Sequence, residues 1–285
     1  TVDFTVPALP GENRFEAIAL GWEEIESPPA RVAVTVGGGA PITTMRMLSV
    51  GINRYAGRDY LLNYAVADAT AIDRLFPQSA KGLYSQVSAK LLTDGEAGRA
   101  SIRSSIEALS EARPEDSVVL FMSGHARTVG DTWYFLPQEM RDLADDAHVR
   151  EVGLSGDEIA DMLTEVPARN ILVIMDSCQS GAVLGNFESF GQRRAMESLS
   201  DEAGVVVIAA TRSDQLAPEY GFLGHGLMTY VLLQGVQREG PQFAADLSPR
   251  DGRLTAGELK AYVESRAPEL AAELDQRIEE IVGTR

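Results

Sequence analysis

Cysteine is almost absent from this sequence of 285 residues, which contains Cys178 and no other. A single cysteine excludes an intramolecular disulfide and a zinc site built from several cysteines. A lone buried cysteine is most often a small apolar core residue, so Cys178 by itself indicates no chemistry.

Basic residues are also scarce, since 25 Lys and Arg stand against 42 Asp and Glu, for a formal net charge of −17. Nucleic-acid binding relies on clustered Lys and Arg, so this balance argues against a nucleic-acid partner. It favours basic partners, or it serves solubility alone. The composition, with 45% hydrophobic and 24% charged residues, is ordinary for a globular protein and argues against wholesale disorder.

Long apolar runs are missing as well. No stretch approaches the roughly 20 apolar residues that a membrane-spanning helix needs, and no basic-then-apolar leader is visible. The expectation is a protein without a membrane partner, located in the cytoplasm.

Residues 1–44 differ in pattern from the rest of the chain. Apolar and polar residues alternate around Phe15–Ala17 and again over Arg31–Val36, with turn-forming prolines between them. This predicts two short strands, either a hairpin or the tail of an immunoglobulin-like module. The glycine-rich stretch 37–41 predicts a flexible linker.

From residue 45 onwards, strand patterns alternate with helix patterns. Such alternation predicts an α/β fold with a mainly parallel sheet and helices on both faces. Strands are predicted at 45–52, 87–92, 117–122, 132–136, 170–175 and 204–210. Helices are predicted at 63–75, 99–112, from 155 onwards, at 226–236 and at 255–282, the last kinked or restarted at Pro268.

Two predicted strands are followed by unusual residues. The strand at 117–122 leads into Ser123-Gly124-His125, and the strand at 170–175 leads into Asp176-Ser177-Cys178. Active sites of parallel sheets lie at the carboxyl ends of the strands, and neighbouring strands are about 4.8 Å apart. A thiol needs a base to become a nucleophile, and histidine has a suitable pKa. The sequence therefore predicts a His125/Cys178 dyad.

These residues resemble the caspase-like cysteine peptidases, in particular the bacterial caspase homologues and metacaspases (peptidase C14 type). The resemblance rests on residues 123–125 and 176–181 and is supported by residues 50–53, 62–69 and 207–210. It implies a caspase-like three-layer αβα sandwich preceded by a short β segment. The expected domains are the β segment with its linker (1–44), the catalytic domain (45–238) and a C-terminal helical extension (239–285).

The resemblance implies a cysteine endopeptidase that forms an acyl-enzyme, with His125 as base and Cys178 as nucleophile. The backbone N–H groups of Cys178 and Ala126 would form the oxyanion hole. The family usually has glycine at the position of Ala126, so the alternative is a weak or inactive caspase-fold scaffold or signalling module. Bacterial relatives act in stress, defence or cell-death circuits, and their upstream modules are sensors or scaffolds.

The resemblance also implies specificity for polypeptides with Arg or Lys before the cleaved bond. Asp176 would line the pocket for that residue, and Ser213 and Asp214 would supply another wall. The alternative for Asp214 is a solvated residue of a loop. A carboxylate pair forms strong charge-assisted hydrogen bonds to a guanidinium and repels an acidic side chain. Asn53 either borders the same pocket or has a role in a turn.

Arg193 and Arg194 fall where the family often has its activation linker, so they are candidate self-cleavage sites. An amphipathic helix is the alternative for that segment.

No cofactor or resident metal is expected, although calcium activation is left open. A calcium loop ending at Glu258 fails, because Leu247 and Pro249 occupy ligand positions. Asp142, Asp145 and Asp146 are either a calcium cluster or a solvated charge run. His225, flanked by two glycines, precedes a helix, which favours a capping role over a catalytic one.

Overall fold

The computed structural model of the protein describes residues 11–17, 27, 30–37, 42–179, 206–209, 221–240, 242–247 and 250–283. The chain divides into two compact units, Thr1–Thr43 and Thr44–Arg285.

The first unit contains the predicted pair of strands. β1 (Gly11–Ala17) and β2 (Ala30–Val36) are antiparallel, with Phe15 opposite Val32. The alternation of apolar and polar residues places every second side chain on one face of such a pair.

The second unit is built on a mainly parallel sheet. Its parallel strands run in the order β4-β3-β5-β8-β9, and two short antiparallel strands, β6 and β7, continue from the far end of β5. The strand bounds are β3 Thr44–Gly51, β4 Gln86–Thr93, β5 Ser117–Val129, β6 Thr132–Phe135, β7 Leu154–Ser155, β8 Asn170–Gln179 and β9 Val206–Ala209. A separate antiparallel pair is formed by β10 Arg238–Glu239 and β11 Gln242–Phe243.

β5 is longer than predicted and runs through His125 instead of ending before it. Its first part pairs with β3 on one side and β8 on the other, and its last four residues pair with β6. The two-residue turn between β5 and β6 contains Gly130 at φ 66°, a conformation that glycine adopts without strain. β8 keeps the chain extended over Ser123–Ala126, after the apolar run has ended, and β6 does so over the last four residues.

Helices cover both faces of this sheet. Their bounds are α1 Ala65–Ser79, α2 Arg99–Glu107, α3 Asp146–Val152, α4 Gly156–Thr164, α5 Leu227–Val236 and α6 Ala256–Gly283. α4 begins as predicted, with the Ser155 hydroxyl accepting a hydrogen bond from the Glu158 N–H at 3.0 Å. α6 continues through Pro268, and α3 was not predicted.

The core has two layers, one on each side of the sheet. Alternate residues of β5 face opposite layers, so Leu120 packs towards α2 and α4 while Phe121 packs towards α1, α5 and α6. Both faces of the central strands are therefore buried, which explains their nearly continuous apolar sequence. This arrangement is the predicted three-layer αβα sandwich.

Candidate active site

The strand register brings His125 and Cys178 side by side at one edge of the sheet. β5 and β8 are parallel neighbours, with His125 opposite Cys178 and Ser123 opposite Asp176. Adjacent parallel strands lie about 4.8 Å apart. The backbones that carry the only cysteine and the predicted base are therefore direct neighbours.

The His125 residue is held from three directions. Its ring Nε2 lies 3.2 Å from the Tyr60 carbonyl oxygen. Its backbone N–H donates to the Tyr55 hydroxyl at 2.7 Å, and its carbonyl accepts the Leu136 N–H at 3.0 Å. The Tyr55 ring packs against the imidazole at 5.0 Å between centroids. Sequence reasoning identified none of these supports.

The Tyr60 contact selects the tautomer of His125. A carbonyl oxygen accepts hydrogen bonds and donates none, so Nε2 must carry the proton and Nδ1 presents a lone pair. Nδ1 is buried and has no hydrogen-bond partner among the described residues. Burial lowers the pKa of His125 to about 4, against a smaller opposing effect of the Tyr60 carbonyl. The imidazole is therefore neutral at pH 7 and able to accept a proton at Nδ1.

Gly124 is required for this arrangement. A Cβ at this position would lie 2.8 Å from the Tyr55 hydroxyl and 3.2 Å from Cζ of Phe135. Because real Cβ atoms do not approach other atoms so closely, glycine allows Tyr55 to reach the His125 N–H.

A pair of buried carboxylates, Asp68 and Asp176, lies next to the dyad. The Asp176 Oδ2 accepts the Thr229 N–H at 3.2 Å and the Thr229 hydroxyl at 2.5 Å. Asp68 accepts from the Gly226 N–H at 3.2 and 3.3 Å, and its Oδ1 lies 2.8 Å from the His225 Nδ1. Gly226 separates the two acids, since a Cβ there would lie 3.0 Å from Asp176 Oδ2 and 3.2 Å from Asp68 Oδ2.

The pKa values of both acids are raised. Burial, followed by the charge of Asp68, raises the pKa of Asp176 to about 7, although the Thr229 hydrogen bonds oppose the shift. Burial likewise raises the pKa of Asp68, against the opposing effects of His225, Gly226 and Ser123. Each raised pKa marks a buried carboxylate whose ionised form a nearby cation would stabilise.

Asp68 was not selected from the sequence, although a signal exists. It interrupts the apolar face of α1, on which Ala65, Ala69, Ile72 and Phe76 are also buried. A carboxylate on the buried face of an amphipathic helix needs a partner, because burial of an unpaired charge is costly. Its position on that face was the available signal.

The sequence signature of the caspase domain, peptidase family C14, matches residues 45–265. The chain belongs to the caspase domain family. A crystal structure of a Geobacter sulfurreducens protein is similar at 19% sequence identity and a TM-score of 0.47, over 67% of this chain and 80% of that one. No protein of curated function matches the sequence. The match continues past residue 238, at which the catalytic domain was predicted to end, as far as residue 265.

Ala126, where the caspase domain family usually has glycine, causes no backbone strain. Among the non-glycine residues that the structure describes, only Asp94 has a positive φ. Ala126 is 7% exposed and lies opposite Phe135 of β6. An alanine therefore fits this position and keeps the backbone N–H.

Asn53 is engaged in a turn. Its side-chain oxygen accepts the Val66 N–H at 3.2 Å, its side-chain nitrogen donates to the Asn63 carbonyl at 3.3 Å, and its backbone N–H donates to Asp94 at 2.8 Å. These bonds fix the loop that leads into α1. The other predicted pocket residues, Ser213 and Asp214, and the predicted cleavage residues Arg193 and Arg194 lie outside the described residues.

The acidic run at 142–146 has local structural roles. Asp145 is the N-cap of α3 and accepts from the Ala147 and His148 N–H groups, while Asp146 pairs with Arg127 at 2.6 Å. Within the described ranges, no group of three or more His, Cys, Asp or Glu side chains is arranged to hold a metal. Glu258 forms a capping box with Thr255 at the start of α6.

A cavity of about 370 Å³ lies at the opposite edge of the sheet, where Met45, Ser117 and Asn170 begin their strands. It is far from the dyad, and the catalytic chemistry of parallel sheets belongs to the carboxyl edge. No helix in the described part of the chain is both long and apolar enough to span a membrane.

Proposed function

We propose that this caspase domain is a cysteine endopeptidase that cleaves polypeptides after Arg or Lys. The observation that carries the proposal is the pairing of Cys178 with a neutral His125 whose Nδ1 is left without a partner among the described residues. Membership of family C14 supports the same reaction class.

In the first half of the reaction, the Cys178 thiol transfers its proton to Nδ1 of His125, and the thiolate attacks the scissile carbonyl carbon. The low pKa of His125 reflects its burial, and the new thiolate would stabilise the imidazolium that forms beside it. The imidazolium then donates its proton to the departing amine, which leaves an acyl-enzyme.

In the second half, His125 takes a proton from water, and the resulting hydroxide attacks the thioester. Collapse of this second tetrahedral intermediate releases the carboxylic acid and returns the proton to sulfur. The Tyr60 carbonyl holds the imidazole in one tautomer throughout, as an orienting group does in other catalytic dyads.

The oxyanion of each tetrahedral intermediate would be bound by the backbone N–H groups of Cys178 and Ala126. The ordinary φ of Ala126 supports this role, since its Cβ imposes no backbone distortion. Loss of one such donor typically costs 10²- to 10³-fold in kcat.

Specificity for basic residues is supported by the Asp68/Asp176 pair. Two residues of extended strand span about 6.6 Å, so a carboxylate at Asp176 suits a long cationic side chain held at Cys178. A guanidinium placed between the acids would neutralise them and lower the raised pKa of Asp176. An aspartate in the same place would be repelled.

The test compares matched fluorogenic peptides ending in Arg, Lys, Asp or norleucine on the wild type and on Cys178→Ala. Activity is expected with Arg and Lys alone and should be abolished in the variant. Activity that survives Cys178→Ala would refute the mechanism, and a preference for Asp would refute the pocket. A folded wild type without any activity would favour the inactive scaffold.

The same specificity predicts self-processing at Arg193 or Arg194. N-terminal sequencing after incubation should detect new termini at Ala195 or Arg194 in the wild type and none in Cys178→Ala. An active preparation that keeps its chain intact would contradict self-processing without affecting the peptidase proposal.

A further inference from the structure

The acidic pair already has a basic occupant in this conformation. His225 Nδ1 lies 2.8 Å from Oδ1 of Asp68, a carboxylate whose residue is only 2% exposed. Among the described residues, His225 is the only basic side chain within ion-pairing distance of Asp68. A substrate cation that binds this carboxylate must compete with the imidazole for the same oxygen.

The backbone next to His225 lies against both acids. The Gly226 N–H donates to both oxygens of Asp68, and a Cβ on Gly226 would approach Oδ2 of Asp68 and of Asp176 within 3.2 Å. A guanidinium that bridges Asp68 and Asp176 must therefore fit beside Gly226 and compete with its N–H for the oxygens of Asp68.

His225 is flanked by two glycines. His225 lies between Gly224, at φ 67°, and Gly226, and the regular turns of α5 begin only at Leu227. Glycines on both sides let the backbone change φ and ψ at little steric cost. The imidazole retains 25% side-chain exposure, so it has a path to solvent, whereas Asp68 does not.

We infer that His225 is an internal occupant of the pocket for the P1 residue, and that a substrate arginine or lysine must displace it. This inference rests on the proposed specificity for basic residues. The described conformation is then self-inhibited, because the His225 imidazole already binds the Asp68 carboxylate of the pocket. Displacement would exchange one charge-assisted hydrogen bond for those of the substrate cation.

A purely structural role for His225 predicts the opposite result. If the imidazole only positions Asp68, then its removal leaves the carboxylate less well oriented, and binding of a basic residue weakens. If it is an occupant, then its removal frees the carboxylate, and binding strengthens. The sign of the change in affinity decides between these roles.

The experiment measures binding in the Cys178→Ala background, where no substrate is consumed. Titration calorimetry with an acetylated tetrapeptide amide ending in Arg should give about tenfold tighter binding for His225→Ala, equal to about 1.4 kcal/mol. The matched control is His148→Ala, since His148 lies on α3 and contacts Glu151 and Arg141 instead of the acids. His148→Ala should leave the affinity unchanged.

His225→Asn is a second variant for the case that His225→Ala does not fold. Its side-chain amide keeps an N–H donor for Asp68 but carries no charge. It should give an intermediate affinity, and the same peptide ending in norleucine should bind all variants equally. Unchanged or weaker binding of the Arg peptide to folded His225→Ala and His225→Asn would overturn the inference while leaving the basic pocket intact. Absence of Arg-peptide binding in every variant would overturn the pocket, and the inference with it.

Discussion

Asp176→Asn is expected to stabilise the fold while it removes the preference for basic residues. The raised pKa means that folding favours the protonated carboxyl, so the associated stability is present below pH 3.8 and is lost as the pH rises through about 7. The interval between 3.8 and about 7 corresponds to about 4 kcal/mol at 1.36 kcal/mol per pH unit. Asparagine does not ionise and avoids this cost.

The variant should therefore have a higher free energy of unfolding than the wild type at pH 8, by up to about 4 kcal/mol, and the difference should vanish near pH 4. The Asn oxygen can still accept from the Thr229 N–H and hydroxyl, so the packing is kept. Loss of a charge-assisted hydrogen bond, worth about 1.5–3 kcal/mol, should lower kcat/KM for an Arg peptide about 10- to 150-fold.

Asp116→Asn is the matched control, because Asp116 is also buried but its pKa is shifted in the opposite direction. Burial alone would raise its pKa, but hydrogen bonds from the Arg113 and Thr44 N–H groups and the Arg113 guanidinium outweigh burial and lower it. An amide cannot accept at both oxygens, so this variant should lose about 1–3 kcal/mol of stability and keep its P1 preference.

Urea denaturation at pH 4, 6 and 8 measures the stability, and paired Arg and norleucine peptides measure the specificity. Two results would refute the reasoning. One is an Asp176→Asn variant that is less stable than the wild type at pH 8. The other is undiminished cleavage of the Arg peptide by that variant.

Three further predictions concern His125 and the residues that surround it. Tyr55→Phe removes the acceptor of the buried His125 N–H, so the free energy of unfolding measured in urea should fall by about 1–3 kcal/mol. The fall in kcat should be larger than the rise in KM. An unchanged urea midpoint would contradict the role of this hydrogen bond. Gly124→Ala should displace Tyr55 and Phe135 and lower kcat at least tenfold, whereas full activity would mean that the close approach is unimportant. Because His125 is buried in its neutral form, the free energy of unfolding should fall by about 3 kcal/mol as the pH falls from 6.5 to 4. His125→Gln should abolish this loss. The same dependence of stability on pH in both proteins would disprove the prediction.

The order of strands and helices was predictable because burial imposes a simple pattern on the sequence. Strands covered on both faces, such as β5 and β8, are nearly continuous apolar runs, and α1 has an apolar stripe at helical spacing. Boundaries were less predictable, since the tail of β5 is extended because β8 and then β6 pair with it. α3 was missed because it is a single short segment whose start depends on the Asp145 cap.

The site was predictable only in part, for a related reason. His125 and Cys178 were found because both follow apolar strands and carry recognisable chemistry. Tyr60 acts through its carbonyl oxygen, which every residue has, so no sequence signal could have singled it out. His225 was assigned to capping because it precedes α5, whereas its ring contacts an acid that lies 157 residues away along the chain.

The sequence by itself determined the family, the layered αβα architecture and the two residues on which the proposed chemistry depends, because local patterns of burial and two short motifs encode them. The tertiary structure decided the tautomer of His125, the closeness of Asp68 to Asp176 and the contact of His225 with Asp68. Each of these depends on atoms brought together by strand register and helix packing, and such long-range contacts leave no periodic trace in the sequence. The backbone of Cys178, the scarcest residue type in the chain, lies beside that of His125 only through that register.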